Sequence, residues 1–322
     1  MKQPLPLGAA GSPESMRREA QALRLQGRVL ASQGPYEVLR FRGPEAPALM
    51  HEIGLRREEA FRAAGEGTGR SVDVDAWDED YQQLLLWDEA EARVAGGYRI
   101  GTVRELVRAK GVAGLYSHSL FELKPALVAE LDDALELGRS FISVGAQRDF
   151  VPLFLLWKGI AAWVCELGDR PKLFGCVSIS PSFLTVTQRL MVRFLEVSSM
   201  DLRLSALVRP RNPAVAQAWE GDDLSDHDLR QIEAQVASLE QGKLGFPPLL
   251  KQYLKLGGKI LAFNRDEGFN GTLDALILVD LRLSPRRLLE RYLGVEECSR
   301  FLALYRIVPA LAFQPQPGKI DL

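Results

Sequence analysis

Residues 135–142 read Leu-Glu-Leu-Gly-Arg-Ser-Phe-Ile, and the segments on either side of this run decide the fold. Apolar and polar side chains alternate up to the glycine, which is the period of a strand with one buried face. Before it lie two more strand candidates, residues 83–87 and 94–100, joined by the polar link 88–93. A link that short suits an antiparallel hairpin. After it comes the most apolar stretch of the chain, residues 150–167. Pro152 is well placed to open a helix there, because its missing N–H costs nothing in a first turn. A strand over 173–179 and a helix over about 183–197 follow.

Further out, residues 1–13 form a leader and 13–32 a charged helix rich in Arg, Ala and Leu. Residues 36–41 alternate as a strand. Helical spacing over about 44–64 ends at Gly65, Gly67 and Gly69. Residues 200–246 have the character of an insertion, with Arg209-Pro210-Arg211-Asn212-Pro213 ahead of an acidic helix over 225–241. A helix over 248–256 then leads to strands at 259–263 and 275–281. The expected division is residues 1–35 as leader and helix, and 36–322 as one α/β domain. Its mixed sheet lacks the regular alternation of a doubly wound fold.

The chain has 322 residues, 47% hydrophobic and 25% charged, the proportions of a folded globular protein. Lys plus Arg (40) nearly balances Asp plus Glu (42), which disfavours a generally basic nucleic-acid binder. Cys165, Cys176 and Cys298 fit no zinc spacing and leave one thiol over in any disulfide scheme. A reducing, cytoplasmic location is expected. No signal-peptide pattern is visible, and Lys158 interrupts the apolar stretch, so a buried helix rather than a membrane span is expected there. HExxH, Gly-x-Ser-x-Gly and Walker motifs are all absent, which weakens hydrolase readings.

The element order resembles the GNAT N-acyltransferase fold. The runs IGLRREEAFRAAGEGT (53–68), LLLWDEAEARVAGGYRI (84–100), GLYSHSLFEL (114–123), ELGRSFI (136–142), PLFLLWKGI (152–160), FGCVSIS (174–180) and PPLLKQYLKLGGKILAF (247–263) are similar to a narrower group. These are the amino-acid N-acyltransferases of ornithine and glycine aminolipids, whose relatives often carry a hemolysin label. Together the runs cover about residues 45–281. The resemblance implies splayed central strands and transfer of a long-chain, 3-hydroxylated acyl group from acyl carrier protein to an α-amine, giving a lyso-aminolipid. It also implies peripheral contact with the inner membrane face. The donor arm would be the phosphopantetheine of acyl carrier protein, or else acyl-CoA, with no tightly bound cofactor and no metal. Coenzyme A-dependent relatives carry a glycine-rich pyrophosphate loop after the fourth strand. Residues 143–152 here lack its small residues after Arg148, and Pro152 removes a donor, which fits a carrier-protein donor. Two alternatives stay open: an acetyl-CoA-dependent small-amine acetyltransferase, and a non-enzymatic membrane-active protein.

Amide formation from a thioester needs a neutral amine. One with pKa near 8 is about 10% neutral at pH 7, a cost of about 1.4 kcal/mol, against roughly 4.6 kcal/mol for a lysine-like amine. Glu136 is the candidate base; the alternative is a bracing ion pair with Arg139. Residues three apart on a regular strand face opposite sides. A bulge at Gly138 would bring Glu136 and Arg139 to one face and aim a backbone N–H at the thioester oxygen. Glu52, Arg56, Glu66 and Arg99 are candidates to bind the amino acid, an arginine fork suiting its carboxylate. Arg57 reads as a solvated charge. His118 stands out among the three histidines because it lies in a matching run. Trp157 is a candidate for lining an acyl tunnel, or plain core. Arg148, Arg209, Arg211 and Lys251 are candidates for contact with the acidic carrier protein, or ordinary surface.

Overall fold

The computed structural model describes residues 4–147, 151–214, 221 and 223–305. Helix α1 (Pro13–Leu25) is capped by Ser12 and stops at Gln26. Gly27 follows at φ +70°, a left-handed conformation that ends the helix. The helix expected to reach residue 32 therefore breaks off, and Val29–Gln33 forms β1, paired antiparallel with β2 (Tyr36–Arg42). A short turn leads to α2 (Pro47–Ala63), with proline in its first turn. A single turn α3 (Trp77–Asp80) precedes β3 (Gln82–Asp88) and β4 (Arg93–Thr102), which pair antiparallel as the hairpin the sequence predicts. Helix α4 (Val103–Lys110), helix α5 (Tyr116–Leu120), strand β5 (Phe121–Leu123) and helix α6 (Pro125–Glu130) cross to β6 (Ala134–Ile142).

Then come α7 (Val151–Leu167), β7 (Lys172–Ile179) and α8 (Thr185–Ser199). The expected helical insertion holds α9 (Leu202–Ser205), a strand β8 (Val208–Pro210) paired with β5, and α10 (Leu229–Leu239), begun by an Asp228–Gln231 capping box. Helix α11 (Pro248–Lys255), strands β9 (Lys259–Asp266) and β10 (Thr272–Asp280), and helices α12 (Arg286–Leu293) and α13 (Val295–Leu304) complete the described chain. Among the described residues no helix is long and apolar enough to cross a membrane.

The eight-stranded sheet runs β1-β2-β3-β4-β6-β7-β10-β9. Every neighbouring pair is antiparallel except β6 and β7. One face carries a continuous apolar core under α7, α8 and α10–α13. On the other, α1 and α2 cover the β1–β4 end, and α4–α6 with β5 and β8 cover the β6–β9 end. Between those two covers lies the centre of the sheet, where the parallel pair comes apart. β6 and β7 pair only from Ala134–Lys172 to Leu137–Gly175. Beyond that point β6 stays with β4 and β7 with β10, so a V opens between them.

Candidate active site

The V owes its shape to two backbone departures. Along the β4–β6 ladder Arg99 faces Gly138 and Gly97 faces Phe141, so β6 holds one extra residue between those two pairings. The bulge thus falls at Arg139–Ser140, one residue beyond the expected Gly138, with Arg139 itself at φ +50°. It does bring Glu136 and Arg139 to one face, since both reach Tyr116 of α5. Across the V, Gly175 takes φ +150° where a Cβ would lie 2.1 Å from the Leu137 carbonyl oxygen. Past Leu137, the backbone N–H groups of β6 on the β7 side have no strand partner among the described residues.

Arg139 is fixed by charge. Its Nε lies 3.1 Å from Asp73 Oδ2 and its Nη2 donates to Asp75 Oδ2 at 3.3 Å. Nη1 donates to the Tyr116 hydroxyl at 3.1 Å. Against the burial that opposes it, Tyr116, Asp73 and Asp75 hold the guanidinium protonated above its ordinary range. Asp73 and Asp78 are also bound by Arg57, at 3.1 and 2.9 Å, while Asp75 and Asp78 take Arg99. Three arginines and three aspartates thus neutralise one another, all within α2, the Asp73–Asp78 segment and the two strands. Burial would raise the Asp78 carboxyl, but Arg57 and Arg99 hold it down at about 2. Arg57 is 1% exposed, so the solvated charge expected from sequence is a buried anchor.

Glu136 is 2% exposed and both of its oxygens are taken. It accepts from Ser117 N–H at 2.7 Å, from Tyr116 N–H at 3.2 Å and from the Tyr81 hydroxyl. It holds the first turn of α5, with hydrogen bonds on both oxygens, and does not pair with Arg139. Burial raises its pKa, against the hydrogen bonds from Ser117 and Tyr81.

Glu66 takes the open position. Its loop is pinned by Glu58 on α2, which accepts from Thr68 N–H (3.0 Å) and Gly69 N–H (2.8 Å), and by Asn270, which donates to the Gly65 carbonyl at 2.8 Å. Half-buried Glu66 accepts a 3.1 Å hydrogen bond from Ser178 Oγ on the β7 arm of the V. Desolvation raises its pKa to about 7, against the opposing Ser178 bond. Beside it lie Asp274 of β10 and Asp266 at the end of β9. Both are pushed up by burial, Asp274 also by the charges of Asp266 and Glu66. Burial and the neighbouring acids likewise keep the Cys176 thiol protonated.

The remaining sequence candidates separate. Glu52 accepts from Gly11 N–H and from Arg56, both at 2.7 Å, and Arg56 also binds Glu59. The pair braces α2 and the N-terminal segment and contacts none of Arg139, Tyr116 or Glu66. Arg99 lies under Tyr81 and Tyr116, 1% exposed and committed to the aspartates. Gly138 pairs with Arg99 in the ladder. Trp157, on the α7 face, packs against Tyr253 at 5.1 Å and borders an apolar cavity of about 20 Å³ closed by α12 and α13. His118 turns away from the V towards Arg211, which donates to its carbonyl at 2.8 Å. Arg209 and Arg211 stand beside β5 on one face of the sheet, whereas Lys251 is on α11 on the other, paired with Glu233. Arg148 lies outside the described residues.

Sequence reasoning passed over Asp274, Asp266, Ser178 and Tyr116. Asp274 carries a signal of its own, the one acid in the interior of the apolar strand Thr272–Asp280, whose other acid is its last residue. The acids at 73, 75 and 78 form a second such cluster.

Comparison with known proteins agrees with this architecture. The acetyltransferase (GNAT) domain family matches residues 56–157. A glycine N(alpha)-acyltransferase of Bacteroides thetaiotaomicron is 31% identical, over 76% of this chain and 77% of that protein. An L-ornithine N(alpha)-acyltransferase of Agrobacterium fabrum is 27% identical, over 74% and 78%. Among solved structures, a CoA-dependent acyl-homoserine lactone synthase, BjaI, matches 82% of this chain and 97% of that one at 12% identity, with a TM-score of 0.38, too distant to bear on the donor. On that identity and coverage, this protein belongs to the GNAT family of amino-acid N-acyltransferases.

Proposed function

We propose that this protein moves a long-chain acyl group from the phosphopantetheine thioester of acyl carrier protein to the α-amine of an amino acid, releasing a lyso-aminolipid. The observation that carries this reading is the V between β6 and β7 with its bulge at Arg139. A thioester laid in the V would meet β6 backbone N–H groups that no described strand uses, and these would stabilise the oxyanion. Cys176 lines the V as a protonated thiol, so transfer is direct rather than through a cysteinyl intermediate. Glu136 serves by position, holding Tyr116 against Arg139. Pro152 in the first turn of α7 removes a donor that a pyrophosphate would need, which favours a carrier-protein donor over coenzyme A. Lys251 is on the α7 side and is the retained carrier contact; Arg209 and Arg211 are on the other face. The acyl chain would run towards Trp157. The product would partition into a bilayer, which supports peripheral membrane contact.

The test mixes purified protein with long-chain 3-hydroxyacyl carrier protein, or in parallel with acyl-CoA, and a pool of amino acids including glycine and ornithine. Amino-acid-dependent thiol release with an N-acyl product by mass spectrometry is expected from the carrier-protein arm. Turnover from acyl-CoA alone would overturn the donor, and no N-acyl amino acid from either arm would overturn the reaction.

A further inference from the structure

We propose that the acceptor's α-ammonium docks between Glu66 and Asp274, and that Glu66 takes the proton whose loss frees the amine to attack. This rests on the reading of the reaction as amino-acid N-acylation. Asp274 stands directly opposite Ser178 in the β7–β10 ladder. Residues so placed have Cβ atoms about 5 Å apart on one face of the sheet. Because Ser178 donates to Glu66 at 3.1 Å, the two carboxyl groups flank one hydroxyl at the open arm of the V.

Among the described residues, Arg139 is a cation whose charge reaches Asp266 and Asp274. Its ion pairs are with Asp73 and Asp75. Among the described residues, none of Glu66, Asp266 and Asp274 belongs to an ion pair. Asp274 is only 6% exposed, shares its face with Leu276 and Leu278, and accepts no hydrogen bond from a described residue. A buried carboxylate without a partner is costly. A substrate ammonium would supply the missing ion pair and donors.

The step balances. Glu66 carboxylate accepts one proton from the ammonium, and the neutral nitrogen forms a C–N bond to the thioester carbon. The C–S bond breaks, the thiolate takes the second amine proton and leaves as thiol, and Glu66 returns its proton to solvent. Groups facing this position are Cys176 and Ser178 from β7, Asp266 from β9, Asp274 from β10, Arg139 from β6 and Tyr116 from α5. Desolvation places the Glu66 carboxyl at about 7, where a base is effective at neutral pH.

The test compares wild type and Glu66→Gln with an amino acid and with aminooxyacetate, whose amine is already neutral at pH 7. Glu66→Gln is expected to lower kcat/KM for the amino acid by about 100-fold or more. It should also abolish the rise of kcat/KM with pH centred at about 7, while aminooxyacetate turnover is retained. Asp274→Asn is expected to raise KM for the amino acid more than it lowers kcat. Equal losses of Glu66→Gln with both acceptors would make Glu66 structural, and an unchanged pH limb would remove it as base; either overturns the proposal. A wild type that acylates no amino acid brings down the reaction itself, a different outcome from an active enzyme indifferent to Glu66→Gln.

Discussion

At Arg139 the chain turns left-handed, at φ +50°, where a side chain larger than glycine costs about 1 kcal/mol or more. Asp73, Asp75 and Tyr116 hold it there, so the charge cluster maintains the bulge. Gly175 is the complementary position. A Cβ would meet the Leu137 oxygen at 2.1 Å, a backbone atom that moves only if β6 and β7 separate earlier. Gly175→Ala is expected to destabilise the protein by about 1–3 kcal/mol and to cut turnover sharply, as read by urea unfolding and thiol release. A stable, fully active variant would show that this close approach does not set the V. Neither feature was legible locally. Gly138 marked a bulge in the right strand, but the extra residue fell on its neighbour because the aspartates reward Arg139.

Helix α5 is the element on which the site leans most. Five residues cannot sustain a helix in water. Its leading N–H groups are instead bonded to Glu136, reaching from β6. Glu136→Ala leaves the buried Ser117 N–H without its acceptor, while Tyr116 N–H keeps the Tyr81 oxygen and the Tyr81 hydroxyl keeps the Gly114 carbonyl, and it is expected to cost about 1–3 kcal/mol in urea unfolding. Glu136→Gln keeps an acceptor and should lower kcat through a displaced Tyr116. It should nevertheless retain the neutral-pH limb of the rate profile; loss of that limb would return Glu136 to the role of base. The elements themselves were largely readable, since β3, β4, β6 and β7 carry the strand period or a hairpin link. β1 was not, because Val29–Gln33 is a half-exposed edge strand directly after a helix and carries no alternation of its own.

Across the whole molecule the formal charge is close to neutral, at −2, yet the interior is uneven. Arg57, Arg99 and Arg139 cancel Asp73, Asp75 and Asp78, while Glu66, Asp266 and Asp274 form no ion pair among the described residues. Such a cluster serves an incoming ammonium at the expense of the resting fold. Burial and the charges of Asp266 and Glu66 raise the folded-state pKa of Asp274 well above its ordinary value. Above about pH 4 the unfolded chain therefore binds fewer protons at this residue than the folded one, and stability falls as pH rises. Asp274→Asn is expected to raise Tm at pH 8, with the gain shrinking towards pH 5 in thermal scans. A lower Tm at pH 8 would mean that the carboxylate is satisfied within the fold.

By itself the sequence determined the central elements β2–β4, β6, α7, β7 and α8, the hairpin, the strand carrying the bulge and the candidacy of Glu66, because each depends on neighbours within a turn or a strand. Tertiary structure alone decided which polar groups meet. Strand pairing sets Ser178 against Asp274, the loop pinned by Glu58 swings Glu66 onto Ser178, and the arginine–aspartate cluster moves the bulge to Arg139. Those outcomes follow from register and long-range charge, which no local period encodes.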